Sequence, residues 1–273
     1  LNRTLERAIA WDPTHLERGE LMKTVLAGLF GGLLLIVGLG LAAPAAEAAC
    51  PPDSVQSGTA CIDKYEASVW LIPSAETKLV KKIQEGKATL ADLQAGGFQR
   101  GLTDGDLLPE CSVTGAGCTN VYAVSIAGVT PAAFINWFQA AAAARNSRKR
   151  LPTNQEWQVA ALGTPSASCN VSSGLVANTG STAGCVSDVG AFDMVGNLWE
   201  WVAEWVPRST ACGSWGLFSD DFQCLAGAQI TGAPGALIRG GDFVSGTVAG
   251  VFAVSGGSSP SFANDFIGFR AAR

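Results

Sequence analysis

Histidine is almost missing from this 273-residue chain, and the single copy, His15, lies near the N-terminus. If that segment is absent from the mature protein, no Ser-His-Asp triad, Cys-His pair or histidine-based zinc or iron site can form. Long basic runs are missing too. The best cluster, RNSRKR at 145–150, is too short to track a phosphate backbone. With a net charge of -5 and a pI of about 4.9, the composition excludes nucleic acid as a partner. No two cysteines stand at C-x-x-C spacing, which argues against a thiolate metal cluster.

What is present begins with an apolar stretch. Residues 22–49, MKTVLAGLFGGLLLIVGLGLAAPAAEAA, place a lysine ahead of a short apolar core and an Ala-x-Ala site behind it. This is the pattern of a secretory signal peptide, and its core is short for a membrane span, so cleavage leaves no stable span. Residues 1–21 precede Met22 and read as an over-extended reading frame or a short N-terminal extension. All eight cysteines follow: Cys50, Cys61, Cys111, Cys118, Cys169, Cys185, Cys212 and Cys224. An even number in an exported chain points to disulfides. Nearest neighbours give the simplest pairing, Cys50–Cys61, Cys111–Cys118, Cys169–Cys185 and Cys212–Cys224. Such short loops contribute about 2–3 kcal/mol each and pin loops rather than build a core. The expected location is exported: periplasmic, cell-surface or secreted.

Residues 50–273 read as one domain, 48% of the whole chain being hydrophobic. CIDKYEASVWLI (61–72) has the character of an opening strand. A helical insertion is expected over 74–97 from Leu and Ile at three- and four-residue steps. A helix over 130–147 would take Thr130 as cap and Pro131 at its first position. Another over 151–163 has Thr153 and Glu156 as a capping box and Gly163 as its stop. Gly, Ser, Thr and Asn dominate afterwards, so the C-terminal half should be loops and short strands. Two main helices against irregular strands give an α+β fold.

Trp157, Trp199, Trp201 and Trp205 are expected in the core, each needing one N–H partner. Arg150 and Arg239 are expected to pair with carboxylates such as Glu156, Glu200 or Asp193. Structural pairing is the favoured role for Glu200. Asn197 and Glu200 are also candidate calcium ligands, the one cofactor considered.

Four phrases, RLPTNQEWQVAA (150–161), GAFDMVGNLWEWVAEW (190–205), ALIRGGDF (236–243) and IGFRAAR (267–273), occur in an order and spacing that resemble the formylglycine-generating enzyme (sulfatase-modifying factor) family. CIDKYEAS (61–68) resembles that family's opening strand. The resemblance covers about 50–273 and implies a variant of the C-type lectin fold. It also implies a pair of reactive cysteines after RGG that hold copper, or, in sulfur-oxidising relatives, a histidine-held iron. This sequence has no cysteine after Cys224 and no histidine after His15. Serine and glycine cannot replace soft thiolate ligands for Cu(I). The resemblance therefore implies the fold and argues against the enzymology, and no catalytic residue is assigned.

The segment 238–273 more narrowly resembles the variable region of proteins diversified by retroelements, in which adenines of a template copy are mutated. An AAC codon changed only at its adenines gives NNC codons, which cannot encode Lys, Glu, Gln, Met or Trp. None of the five occurs from Asp242 to Phe266, where roughly three are expected from composition. The resemblance implies a framework of Arg239, Gly240, Gly241, Gly250, Val251, Phe252, Ala253, Pro260, Ile267, Gly268, Phe269 and Arg270, with Phe252 and Phe269 in the core. It implies a presented set of Asp242, Phe243, Val244, Ser245, Val248, Ser255, Gly257, Ser258, Phe262, Asn264, Asp265 and Phe266. The function expected is a non-catalytic ligand-binding protein whose C-terminal face meets a protein or surface ligand. The alternatives are an oxidase or accessory protein of the formylglycine-generating class and a lectin-like module of fixed specificity.

Overall fold

The structure, a computed structural model, describes residues 49–273. The expectations for a leader and an N-terminal extension lie outside the described residues. The chain opens with a hairpin of β1 (Ser54–Ser57) and β2 (Ala60–Asp63), turned by Gly58 at φ +60°. β3 (Ala67–Leu71) follows a break, so the single strand expected over 61–72 is two. The break separates two sheets: β3 is the centre of a three-stranded sheet between β4 (Phe98–Arg100) and β5 (Val121–Ser125).

The expected insertion is also two elements, α1 (Thr77–Gln84) and α2 (Leu90–Gly96). Gly86, at φ +69°, ends the first, and a capping box of Thr89 and Asp92 starts the second. Leu79, Ile83 and Leu93 bury their side chains against Trp70, Ile72, Tyr122 and Val124. α3 (Trp137–Asn146) begins later than expected. Its cap is Asn136, whose side chain accepts from the Gln139 N–H at 3.0 Å, while the Gln139 side chain accepts from the Asn136 N–H at 3.2 Å. Thr130 and Pro131 stay in the preceding loop, where Ala132 N–H donates to Ala67 O and Ala133 N–H to Gly101 O, both at 2.8 Å. The residue before a proline resists the helical conformation, which keeps Thr130 out. α4 (Asn154–Ala161) starts as expected, with Thr153 and Glu156 as its capping box.

The C-terminal half forms a six-stranded mixed sheet in the order β11-β6-β9-β10-β8-β7. Its strands are β6 (Trp199–Val206), β7 (Ala211–Ser214), β8 (Phe222–Ala226), β9 (Gly235–Arg239), β10 (Val254–Ser258) and β11 (Ile267–Phe269). Trp199, Trp201, Ile238, Ile267 and Phe269 share a core with alanines of α3. Trp157 joins Met194, Val202 and Leu237 in a second cluster. Trp205 departs from expectation and is 45% exposed. The β6–β9 register shifts between Trp201 and Trp205, and such an irregularity re-aims the side chains beyond it.

The four disulfides pair as expected: Cys50–Cys61, Cys111–Cys118, Cys169–Cys185 and Cys212–Cys224. A second set of ties joins the two ends of the domain. Buried Lys149 lies 2.6 Å from both Asp53 and Asp63, and Arg273 donates to Asp53 at 2.8 Å. Cys61 and Arg273 exchange main-chain bonds, as do Arg150 and Ala272. The last residues are therefore held on both sides, which fixes the exit of the segment before them. The result is an α+β fold of short strands, disulfide-pinned loops and four short α-helices, where two main ones were expected.

Candidate recognition face

Two rigid phrases bracket the segment 242–266. At the first, Arg239 ends β9, and Gly240 and Gly241 follow at φ +93° and +88°. A Cβ at Gly240 would lie 2.8 Å from Met194 O, and one at Gly241 would lie 2.6 Å from the Ala249 Cβ. Both the conformation and the space demand glycine. At the second, Ile267 and Phe269 are fully buried and β11 runs parallel to β6.

Arg270 follows with no exposure and anchors the bracket. Its Nε and Nη2 donate to the Glu200 carboxylate at 2.6–2.9 Å, and its remaining N–H groups reach Asp63 O, Phe192 O and Asp193 O. Trp157 Nε1 donates to the same carboxylate at 2.6 Å. This is the structural pairing expected of Glu200, with Arg270 as its partner. Arg150 pairs with Glu156 through two 2.6 Å bonds, as expected. Arg239 does not meet the expectation of a carboxylate partner. It donates to Gln158 Oε1 and Val251 O and lies over the Trp157 ring at 4.6 Å. Burial pulls it down to about 10.

Glu200 shares its surroundings with two more buried acids. Glu66 accepts from Leu198 N–H at 3.0 Å and from Asn197 Nδ2. Burial, with Asp193 and Glu200 close by, pushes its carboxyl well above the usual carboxylate range. Burial likewise raises Asp193 to about 6, although it accepts a 2.6 Å bond from Gly180 N–H. Asn197 and Glu200, the candidate calcium ligands, both lie in this buried region. Asn197 Oδ1 accepts from Asn170 Nδ2 and Ala177 N–H, and both Glu200 oxygens are engaged by Arg270 and Trp157. These oxygens are already satisfied by protein donors. Among the described residues no group of three or more His, Cys, Asp or Glu side chains is placed to hold a metal. The copper implied by the resemblance finds no fit either, because no cysteine follows Gly241 and all eight are in disulfides.

Between the brackets the chain forms two surface loops. In the first, Asp242 turns inward: its carboxylate accepts from Val244 N–H at 2.9 Å and Ser245 Oγ at 2.7 Å. It closes the turn and is not presented. Phe243 is also buried, packed on Ala133 and Leu198 with Phe134, Val176 and Phe266 around it. Ser255 is buried because β10 is paired on both sides there, to β8 and β9. These three expected contact residues are buried. Val244 and Val248 are exposed and Ser245 half-buried.

The second loop lies on the approach to α3. Trp137 N–H donates to Pro260 O, Phe134 N–H to Asn264 O and Trp199 N–H to Phe266 O, at 2.9–3.0 Å. Phe262 and Asp265 are exposed, while Gly257, Ser258, Asn264 and Phe266 are half-buried. Phe262 and Phe266 rings are 6.2 Å apart. Phe266 also touches the Phe243 cluster, so one small apolar cluster underlies both loops. Phe252, expected in the core, is half-buried and packs on Phe218 at 4.8 Å.

The structure adds surface that the sequence reading did not assign. Trp215, Leu217 and Phe218 are exposed on the β7–β8 hairpin, and Trp215 Nε1 donates to Phe252 O at 3.0 Å. The apolar run WGLF between Gly- and Ser-containing stretches was the available cue. Leu175 is exposed on a loop whose Gly174 N–H donates to Phe243 O. A recess of about 360 Å³ separates Val171 and Ser172 from Thr247 and Ala249.

Residues 167–273 match the family described as the sulfatase-modifying factor enzyme 1-like domain. This match covers three of the four phrases in full and the whole of the bracketed segment. No curated protein matches the chain. Among solved structures, "Major Tropism Determinant P3c Variant" aligns at 19% identity, with 81% of this chain and 52% of that one covered and a TM-score of 0.46. The chain spans about half the length of that structure. Treponema denticola variable protein 1 aligns at 15% identity, with 78% and 84% coverage and a TM-score of 0.40. PvdO from Pseudomonas aeruginosa aligns at 18% identity, with 82% and 89% coverage and a TM-score of 0.42.

The four disulfides fit an oxidising, extracellular setting. No helix of the described residues is long and apolar enough to cross a membrane.

Proposed function

We propose that residues 50–273 form an exported, non-catalytic binding module whose C-terminal loop face is diversified by a retroelement to recognise a protein or surface ligand. The observation that carries this reading is the division between the brackets and what lies between them. Arg239–Gly241 and Ile267–Arg270 are buried, yet Val244, Val248, Phe262 and Asp265 are exposed on loops whose backbones are hydrogen-bonded to fixed elements. Side chains can change there without disturbing the core, which is the property antibody loops exploit. An exposed aromatic next to a carboxylate supplies an apolar anchor and a polar determinant. The pairing of every cysteine, with no histidine after His15, leaves the copper and iron chemistries of the resemblance without donors.

The test is a displayed library randomised at Val244, Val248, Phe262 and Asp265, selected against unrelated purified proteins. Most members should remain protease-resistant, and specific binders should emerge. A matched library at Asp242, Phe243 and Ser255 should lose most of its folded members. Widespread unfolding of the first library, or no binder from it, would sink the reading.

A further inference from the structure

We infer that a cleft beside α3 is a second, fixed recognition site that takes an acidic peptide segment carrying bulky apolar side chains. The cleft has a volume of about 550 Å³ and lies between Trp137 and Ala141 of α3, Leu151 ahead of α4, and Ala203 of β6. Its walls are mostly apolar, and a cleft of this size accepts one or two large side chains.

Trp137, at one end, belongs to an ordered aromatic group. Trp137 stands edge-on to Phe138 at 5.6 Å and to Trp205 at 5.2 Å, and Phe138 and Trp205 are 5.5 Å apart. Trp137 Nε1 donates to Val202 O at 2.8 Å, which fixes the ring before any ligand arrives. A preset aromatic contact loses little conformational entropy on binding. Trp205, exposed at 45%, is one of the large aromatics that the core did not absorb.

The rim decides the sign of the ligand. Arg145 lines the cleft, is exposed and makes no ion pair with any described residue. Lys149 is engaged by Asp53 and Asp63, and half-exposed Arg150 is paired with Glu156. Glu204, the neighbouring acid on β6, accepts the Asn154 N–H at 2.7 Å. Among the residues lining the cleft, the charge without an ion-pair partner is therefore Arg145. It belongs to RNSRKR, the basic cluster of a chain whose net charge is -5. A local positive site on an acidic protein steers anionic segments to itself and repels cationic ones.

No residue lining the cleft falls within 238–273. The site therefore stays constant however the C-terminal face is rewritten, and it does not depend on that rewriting being real.

The test uses three labelled peptides, acetyl-EDLLDE-amide, acetyl-KKLLKK-amide and acetyl-EDSSDE-amide, with binding read by anisotropy and by the Trp137 indole N–H resonance. The acidic apolar peptide should bind and shift that resonance, and the other two should not. Arg145→Glu should weaken binding about tenfold or more, the worth of one charge-assisted contact, with an unchanged melting temperature. Ala141→Phe, which fills the cleft, should block binding. The inference is overturned if the cationic or the polar peptide binds as well as the acidic apolar one. It is equally overturned if no peptide binds, or if Arg145→Glu leaves binding unchanged. The Arg145 arm stands alone if Ala141→Phe fails to fold, and residues 242–266 enter none of these readouts.

Discussion

Asp193→Asn should make the domain more stable at pH 7.5. Asp193 is 3% exposed, sits at φ +56° and faces Glu200, Glu66 and Arg270. Its carboxyl is raised from the ordinary 3.8 to about 6, chiefly by burial. Below pH 4 it is protonated in both folded and unfolded chains and has no effect. Between pH 4 and 6 the unfolded chain releases its proton while the folded one retains it, so stability falls as pH rises. A shift of about 2 units at 1.36 kcal/mol per unit corresponds to about 3 kcal/mol lost by neutral pH, as an upper bound. Asparagine tolerates the positive φ and its Oδ1 can accept the Gly180 N–H, but it never ionises. Urea unfolding of both proteins, with disulfides intact, should show the variant more stable by about 1–3 kcal/mol at pH 7.5. That difference should shrink toward zero at pH 4. A variant less stable at pH 7.5, or a difference independent of pH, would refute the reasoning.

Three further outcomes follow from the same geometry. Arg270→Met leaves Glu200 buried without its cation and should cost about 3–5 kcal/mol in urea unfolding. Gly241→Ala places a Cβ 2.6 Å from that of Ala249 at φ +88°, and should cost about 2 kcal/mol or more by thermal melting. Phe262→Ser, at an exposed position, should change stability by less than about 0.5 kcal/mol, whereas Phe243→Ser should cost several times more because its ring packs on Ala133 and Leu198.

Local features were readable in the sequence. The capping box of Thr153 and Glu156 needs only three-residue spacing, and nearest-neighbour disulfides need only short loops. The start of α3 was not read, because Thr130-Pro131 imitates a helix start while the true box, Asn136 and Gln139, uses an amide pair. Pairs distant in sequence were also hidden. Nothing local tells Glu200 that its partner is Arg270 rather than Arg239. The inward turn of Asp242 and Phe243 has the same origin: it depends on Ser245 Oγ and on Ala133 and Leu198, which only the folded chain brings near. The brackets RGG and IGFR were legible through the resemblance, and the structure supplies the reason for the glycines of the first.

The most direct measurement is made on DNA. The coding region for residues 238–273 and its flanks should be sequenced. The account predicts NNC codons at Val244, Val248, Phe262 and Asp265, and a nearby non-coding near-copy with adenines at those positions, beside a reverse transcriptase gene. Ordinary codons with no near-copy would contradict it and leave this face a fixed surface.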